Sequence, residues 1–202
     1  MIKLFWHIIC AFYSSFILSG IKLTPPKYLF NQPKSKPQYQ VVEEIRADRT
    51  FTYEERKEIL EAAHIIEKFT NNWIKIEICF NLNPLDYHTI QSQSVMLRAT
   101  EEDPDVRTWD HKTNSKILGL CLHKSNYTAN LYILANRIIN KHIFRITVIH
   151  ELGHFLGMGH TDRISVMHKF NYGTILYPTY IDALEFGKIY NCEPDQLCYF
   201  KL

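Results

Sequence analysis

Three histidines fall within eleven residues, at 150, 154 and 160, in the run HELGHFLGMGH. The apolar pattern of Ile143–Phe155 predicts a helix there. On a helix, His150 and His154 are four residues apart and project from one face. Two imidazoles so placed can each bring a nitrogen to about 2.0–2.1 Å from a single zinc ion. Glu151 lies one residue along, beside that face. It is placed to take a proton from a zinc-activated water and not to ligate the metal. Gly157 can adopt the left-handed backbone that ends a helix and turns the chain. His160 then returns as a third ligand, and the fourth position stays open to water, as in a catalytic site. The chain has 7 glycines and 10 histidines in 202 residues. A glycine and a histidine at these two further positions would arise from composition about once in 600, so the extended pattern is specific.

The run H-E-x-x-H-x-x-G-x-x-H at His150–His160, followed by Ser165-Val166-Met167, resembles the metzincin clan of zinc metalloendopeptidases. The resemblance implies an α+β fold. Its parts are a twisted, mostly parallel sheet of about five strands, an active-site helix, a methionine turn and a C-terminal helix. It implies one catalytic Zn2+ held by His150, His154 and His160, with Glu151 as general base. Met167 would pack under the metal and take no part in bond-making. Peptide or protein would be the substrate, paired along an exposed strand at Ile117–Leu122, with selectivity set by the wall Phe170–Pro178. The substrate-binding residues themselves, and a structural Ca2+, are left open.

Met167 stands seven residues past His160, a spacing similar to matrixins. The departures keep the subfamily open. Thr161 follows the third histidine where matrixins have serine, astacins glutamate and adamalysins aspartate. Lys169 stands where astacins and serralysins carry a tyrosine that reaches the zinc. No cysteine-switch motif precedes the domain. The reading from another class is a non-proteolytic secreted protein that keeps zinc for structure; Glu151 speaks against it, because such a site has no need of that carboxylate.

The rest of the chain sets the frame. A formal charge of +2 is too small to draw nucleic acid by bulk attraction. That charge is uneven: residues 1–42 hold five lysines and no acid. Lys3, the apolar run Leu4–Leu18 and the small pair Ser19-Gly20 match a secretory signal over residues 1–20. The run is shorter than the roughly 20 residues a spanning helix needs. The expectation is therefore a secreted protein with no membrane span after cleavage, and an anchored one if the segment stays. Residues 21–39, with Pro25, Pro26, Pro33 and Pro37, read as a linker or short pro-segment, and residues 40–202 as one metzincin-like domain. A monomer is the default for this size.

Cys79, Cys121, Cys192 and Cys198 remain after the signal, an even count that favours disulfides in an exported chain. Cys192–Cys198 and Cys79–Cys121 are the expected pairs, with four free thiols the other reading. Strands are expected at Gln40–Ile45, Ile74–Phe80, Val95–Ala99, Ile117–Leu122 and Leu131–Ala135. Helices are expected at Tyr53–Thr70, Ile143–Phe155 and Asp182–Tyr190. Residues Glu101–Ser115 read as an acidic loop, and Asn126-Tyr127-Thr128 as a glycosylation sequon on a surface loop.

Overall fold

A computed structural model describes residues 30, 31, 33, 40–87, 90, 92–125, 128–169 and 175–201. The expected export signal, most of the Pro/Lys-rich segment, the first two residues of the sequon and residues 170–174 of the expected wall lie outside the described residues.

The described chain is α+β. Strand β1 (Val41–Asp48) leads through a capped turn into helix α1 (Tyr53–Phe69). The start is fixed locally: the Thr52 hydroxyl accepts from Glu55 N while the Glu55 carboxylate accepts from Thr52 N at 2.7 Å. This reciprocal cap is the one that Thr52 with Glu55 three residues on predicts. Strand β2 (Ile74–Leu82) and strand β3 (Ser94–Arg98) follow, then helix α2 (Pro104–Thr113). Strands β4 (Gly119–His123) and β5 (Ala129–Ile133) lead to helix α3 (Lys141–Phe155), and helix α4 (Tyr180–Tyr190) closes the order.

The strands form one sheet in the order β2-β1-β3-β5-β4. Neighbours are parallel except β4, which pairs antiparallel with β5. Strand β4 is therefore an edge. Both faces of β3 and β5 are covered, which their near-continuous apolar sequences require. Met96, Leu131 and Ile133 point into the core shared with α1 and α3. Val95, Leu97 and Tyr132 point to the other side, where Val106 and Trp109 of α2 cover them. Burial of each such side chain contributes on the order of 1.5–3 kcal/mol. Helix α3 packs against α1 and lies across β4 and β5.

Two findings depart from expectation. Residues 101–115 are not a loop: α2 starts at Asp103, whose carboxylate caps Asp105 N, with Pro104 in the first turn, and stops at Asn114 in a left-handed conformation. The cap–proline pair outweighs the polar composition. The four cysteines of the described residues are free. Cys79 and Cys121 lie on β2 and β4, the two opposite edges of the sheet. Four inter-strand spacings place them roughly 19 Å apart, far beyond a disulfide's Cα separation of about 4.4–6.8 Å. Cys192 packs against the core, whereas the Cys198 sulfur faces the Asn31 carbonyl at 3.9 Å. Two residues ahead of β1 touch the C-terminal end of the described chain. Phe30 bridges Phe200, and Asn31 is buried, donating to the Leu197 carbonyl at 2.5 Å and accepting from Tyr199 N.

Candidate metal centre

Asn140 starts α3, its side chain accepting from His142 N and Ile143 N. The helix then carries His150, Glu151 and His154 and ends in a tight reversal. Gly157 sits at φ 85°. Gly157 N donates to the His154 carbonyl at 2.8 Å and Met158 N to the Gly153 carbonyl at 3.0 Å. These two bonds form a Schellman end, which a residue with a Cβ would strain. The reversal brings His160 back over the helix. There Thr161 N donates to the Met167 carbonyl at 3.0 Å, which ties the strand after His160 to Met167.

The three imidazoles converge. The Nε2 atoms of His150, His154 and His160 lie 3.0–3.1 Å from one another. His150 Nδ1 is 2.8 Å from the Val166 carbonyl, and His154 Nδ1 is 2.8 Å from the Met158 carbonyl. A carbonyl only accepts, so each Nδ1 must carry the proton and each Nε2 is left with a bare lone pair. Burial keeps both rings neutral. It pushes His150 down to about 3 and His154 down to about 4, with neighbouring histidines adding to the shift. Burial also lowers His160, and Lys169 and His168 lower it further. Lone pairs facing one another repel unless a cation lies between them. Tetrahedral ligation at 2.0–2.1 Å sets nitrogens about 3.3 Å apart, close to the spacing here. These three residues can hold a metal ion.

Glu151 is 4% exposed, and its Oε2 has no hydrogen-bond partner. Burial pushes its carboxyl up to about 8; a divalent cation beside it would act in the opposite sense. The carboxyl lies over β4. A Cβ at Gly119 would sit 2.5 Å from Glu151 Oε1, so a side chain there would push the carboxyl from its place. Gly119 and Cys121 face α3 across this gap, and both line the cleft that holds the histidines. Burial and the nearby Glu151 charge raise the Cys121 thiol well above its usual range.

Met167 is fully buried beneath the helix. A Cβ at Gly153 would overlap its sulfur, so the methionine seats directly on the helix backbone between the two histidines. Asp182 of α4 holds this turn from below. Its fully buried carboxylate accepts from Thr179 N at 2.7 Å, the Thr179 hydroxyl at 2.9 Å, Val166 N at 3.2 Å and Met167 N at 3.3 Å. Burial raises this carboxyl, and the four donated hydrogen bonds oppose the rise. Asp182 thus anchors Val166, whose carbonyl orients His150. Sequence reasoning singled out His150, Glu151, His154, Gly157, His160 and Met167, and the structure gathers all six. It missed Asp182, Gly119 and Gly153. For Gly153 a signal existed, because a glycine inside a helix is destabilising by about 0.5–1 kcal/mol and needs a packing reason. For Asp182 and Gly119 the reason is tertiary.

No protein-family model matches this chain, and no curated protein is significantly similar to it. Among solved structures, the chain is similar to the crystal structure of metalloproteinase-II from Bacteroides fragilis, with a TM-score of 0.47 and 13% identity over 84% of this chain. It spans 59% of the length of that protein.

Proposed function

We propose that this protein is a zinc-dependent endopeptidase of the metzincin kind, matrixin-like in the spacing of His160 and Met167. One observation carries the reading: three imidazole nitrogens meet at 3.0–3.1 Å beside a buried carboxyl whose Oε2 lacks a partner. His150, His154 and His160 would hold the zinc, which when bound supplies Lewis-acid polarisation of a carbonyl and a more acidic water. Val166 and Met158 fix the ring orientations through their carbonyls, and Met167 fills the space beneath. Glu151 accepts the proton of the attacking water and returns it to the leaving amine nitrogen. Its burial excludes bulk water, so the proton stays local. An extended peptide pairs by backbone hydrogen bonds with the outer edge of β4, which brings its chain past Gly119 and Glu151. The export reading of residues 1–20 belongs to the same proposal and rests on their sequence pattern.

The experiment is cleavage of a diverse quenched-peptide library by the purified chain, with and without a zinc chelator, beside Glu151→Gln. The expected result is chelator-sensitive cleavage that falls by about 10²–10⁴-fold in the variant, while metal content and thermal unfolding match the parent. Full activity in Glu151→Gln would remove that residue from its assigned role. No cleavage by a folded, metal-loaded parent would favour a zinc-binding protein without peptidase activity.

A further inference from the structure

The peptidase reading names no substrate, and this inference rests on that reading and narrows it. The side chains around the cleft are unevenly charged. Among the described residues that line it, Lys116 and Lys169 bring two full positive charges, and Glu151 is the one carboxylate. Glu151 lies buried at the floor, while both lysines are exposed at the rim.

Lys116 leads into β4, the edge along which an extended peptide would run. Its ammonium is 3.6 Å from Glu101, but Glu101 also accepts from Arg137 Nε at 3.1 Å, and the lysine side chain stays 76% exposed. Asp110 is taken up by Arg137 at 2.6 Å and by Ile117 N, and it does not face the cleft. Lys169 follows the methionine turn on the other side of the histidines. Its side chain lines the same cleft as the three histidines. His123, whose Nε2 donates to the His154 carbonyl at 2.9 Å, and His168 complete a lining that, among the described residues, has no acid above the floor. A bound cation would add to the same sign. A cleft lined by one sign of charge, with low-dielectric walls, concentrates ligands of the opposite sign and repels those of its own.

We propose that the cleft selects acidic peptide segments, with Lys116 and Lys169 reading Asp or Glu side chains that flank the scissile bond. The test uses quenched peptides of one sequence that differ only in carrying Asp, Asn or Lys beside the cleaved bond. These are compared at low and high salt, with chelator controls. The expected order of kcat/KM is Asp, Asn, Lys, with about tenfold between the first two at low salt and a smaller gap at high salt. In Lys116→Ala/Lys169→Ala the Asp-to-Asn ratio falls toward one, and in Lys116→Glu/Lys169→Glu the order inverts.

Equal kcat/KM for the three peptides, with cleavage still chelator-sensitive, would overturn this inference and leave the peptidase reading standing. If no peptide is cut, the peptidase reading fails and a second measurement decides the inference. Fluorescence anisotropy then follows the Asp and Asn peptides binding to the metal-free full chain, where no ion can capture a carboxylate. Tighter binding of the Asp peptide, lost in the double alanine variant, supports the acidic preference; equal binding overturns it.

Discussion

The two walls of the cleft differ in how they are held. On the α3 wall, hydrogen bonds or close packing fix the groups around the site. His150 and His154 are tied through Nδ1 to carbonyls, Met167 is seated on Gly153, and Asp182 gathers four donors beneath the turn. On the β4 wall, the strand pairs with β5 on one side, and its other side is a sheet edge. Ligand nitrogens need positions good to a few tenths of an ångström, and buried, fully bonded groups supply that. A peptide partner needs backbone groups still able to bond, and an edge strand supplies those. The contrast predicts that small changes on the α3 wall will cost stability and metal affinity together. Equal changes on the β4 wall will cost activity first.

The largest effect is expected at Asp182. Replacing it by alanine leaves Val166 N and Thr179 N in a buried region without their acceptor, while Met167 N keeps the Ser165 hydroxyl at 3.0 Å. Each unsatisfied donor costs about 1–3 kcal/mol, partly offset by release of a carboxylate that burial disfavours. Asp182→Ala should therefore lose about 2–4 kcal/mol of stability in denaturant melts. Because Val166 orients His150, metal affinity should fall about 10–100-fold as well. Asp182→Asn keeps one oxygen acceptor and should fall between the two. An alanine variant that bound metal as tightly as the parent would show that the turn holds itself and that the α3 wall owes nothing to α4.

Gly153→Ala should act on the same wall with a smaller loss. The added methyl overlaps the Met167 sulfur, whose side chain is fully buried. Overpacking of this kind costs about 1–3 kcal/mol, reduced by the better helix propensity of alanine, worth about 0.8–1 kcal/mol. Shortening the methionine should relieve it. In a double-mutant cycle, Gly153→Ala with Met167→Ala should be less destabilised than the sum of the single variants. Strict additivity would mean that the two groups do not share the space.

What was legible in the sequence follows the same division. The histidine triad was readable because helix spacing and a glycine stop are local rules acting within eleven residues. The reciprocal cap at Thr52 and Glu55 was readable for the same reason. Helix α2 carries its marks in Asp103-Pro104 and Asn114, but the acidic, polar composition of residues 101–115 reads as loop and masks them. The cysteine pairing failed for a different reason. Parity says nothing about sheet order, and only the order β2-β1-β3-β5-β4 sets Cys79 and Cys121 on opposite edges. Asp182 could not be found from spacing at all, since its partners Val166 and Met167 lie 16 and 15 residues away across a turn.

The smallest effect on stability, and the sharpest test of the contrast, is Gly119→Ala. Like Gly153, this glycine lies where a Cβ would collide with a group of the site, here Glu151 Oε1 at 2.5 Å and Cγ at 2.7 Å. The neighbours differ in what they can do. Met167 is enclosed, whereas Glu151 offers the end of a flexible side chain that faces the cleft and can rotate away. Gly119→Ala should therefore change unfolding free energy by under about 1 kcal/mol and leave metal binding near the parent value. Peptide cleavage should still fall by about 10–100-fold, because a carboxylate moved by an ångström no longer meets the attacking water. Stability curves, metal content and kcat/KM, measured on Gly119→Ala beside Gly153→Ala, make the comparison direct. If Gly119→Ala unfolds as readily as Gly153→Ala, the β4 wall is as rigid as the helix, and the division between a fixed metal wall and a yielding substrate wall fails.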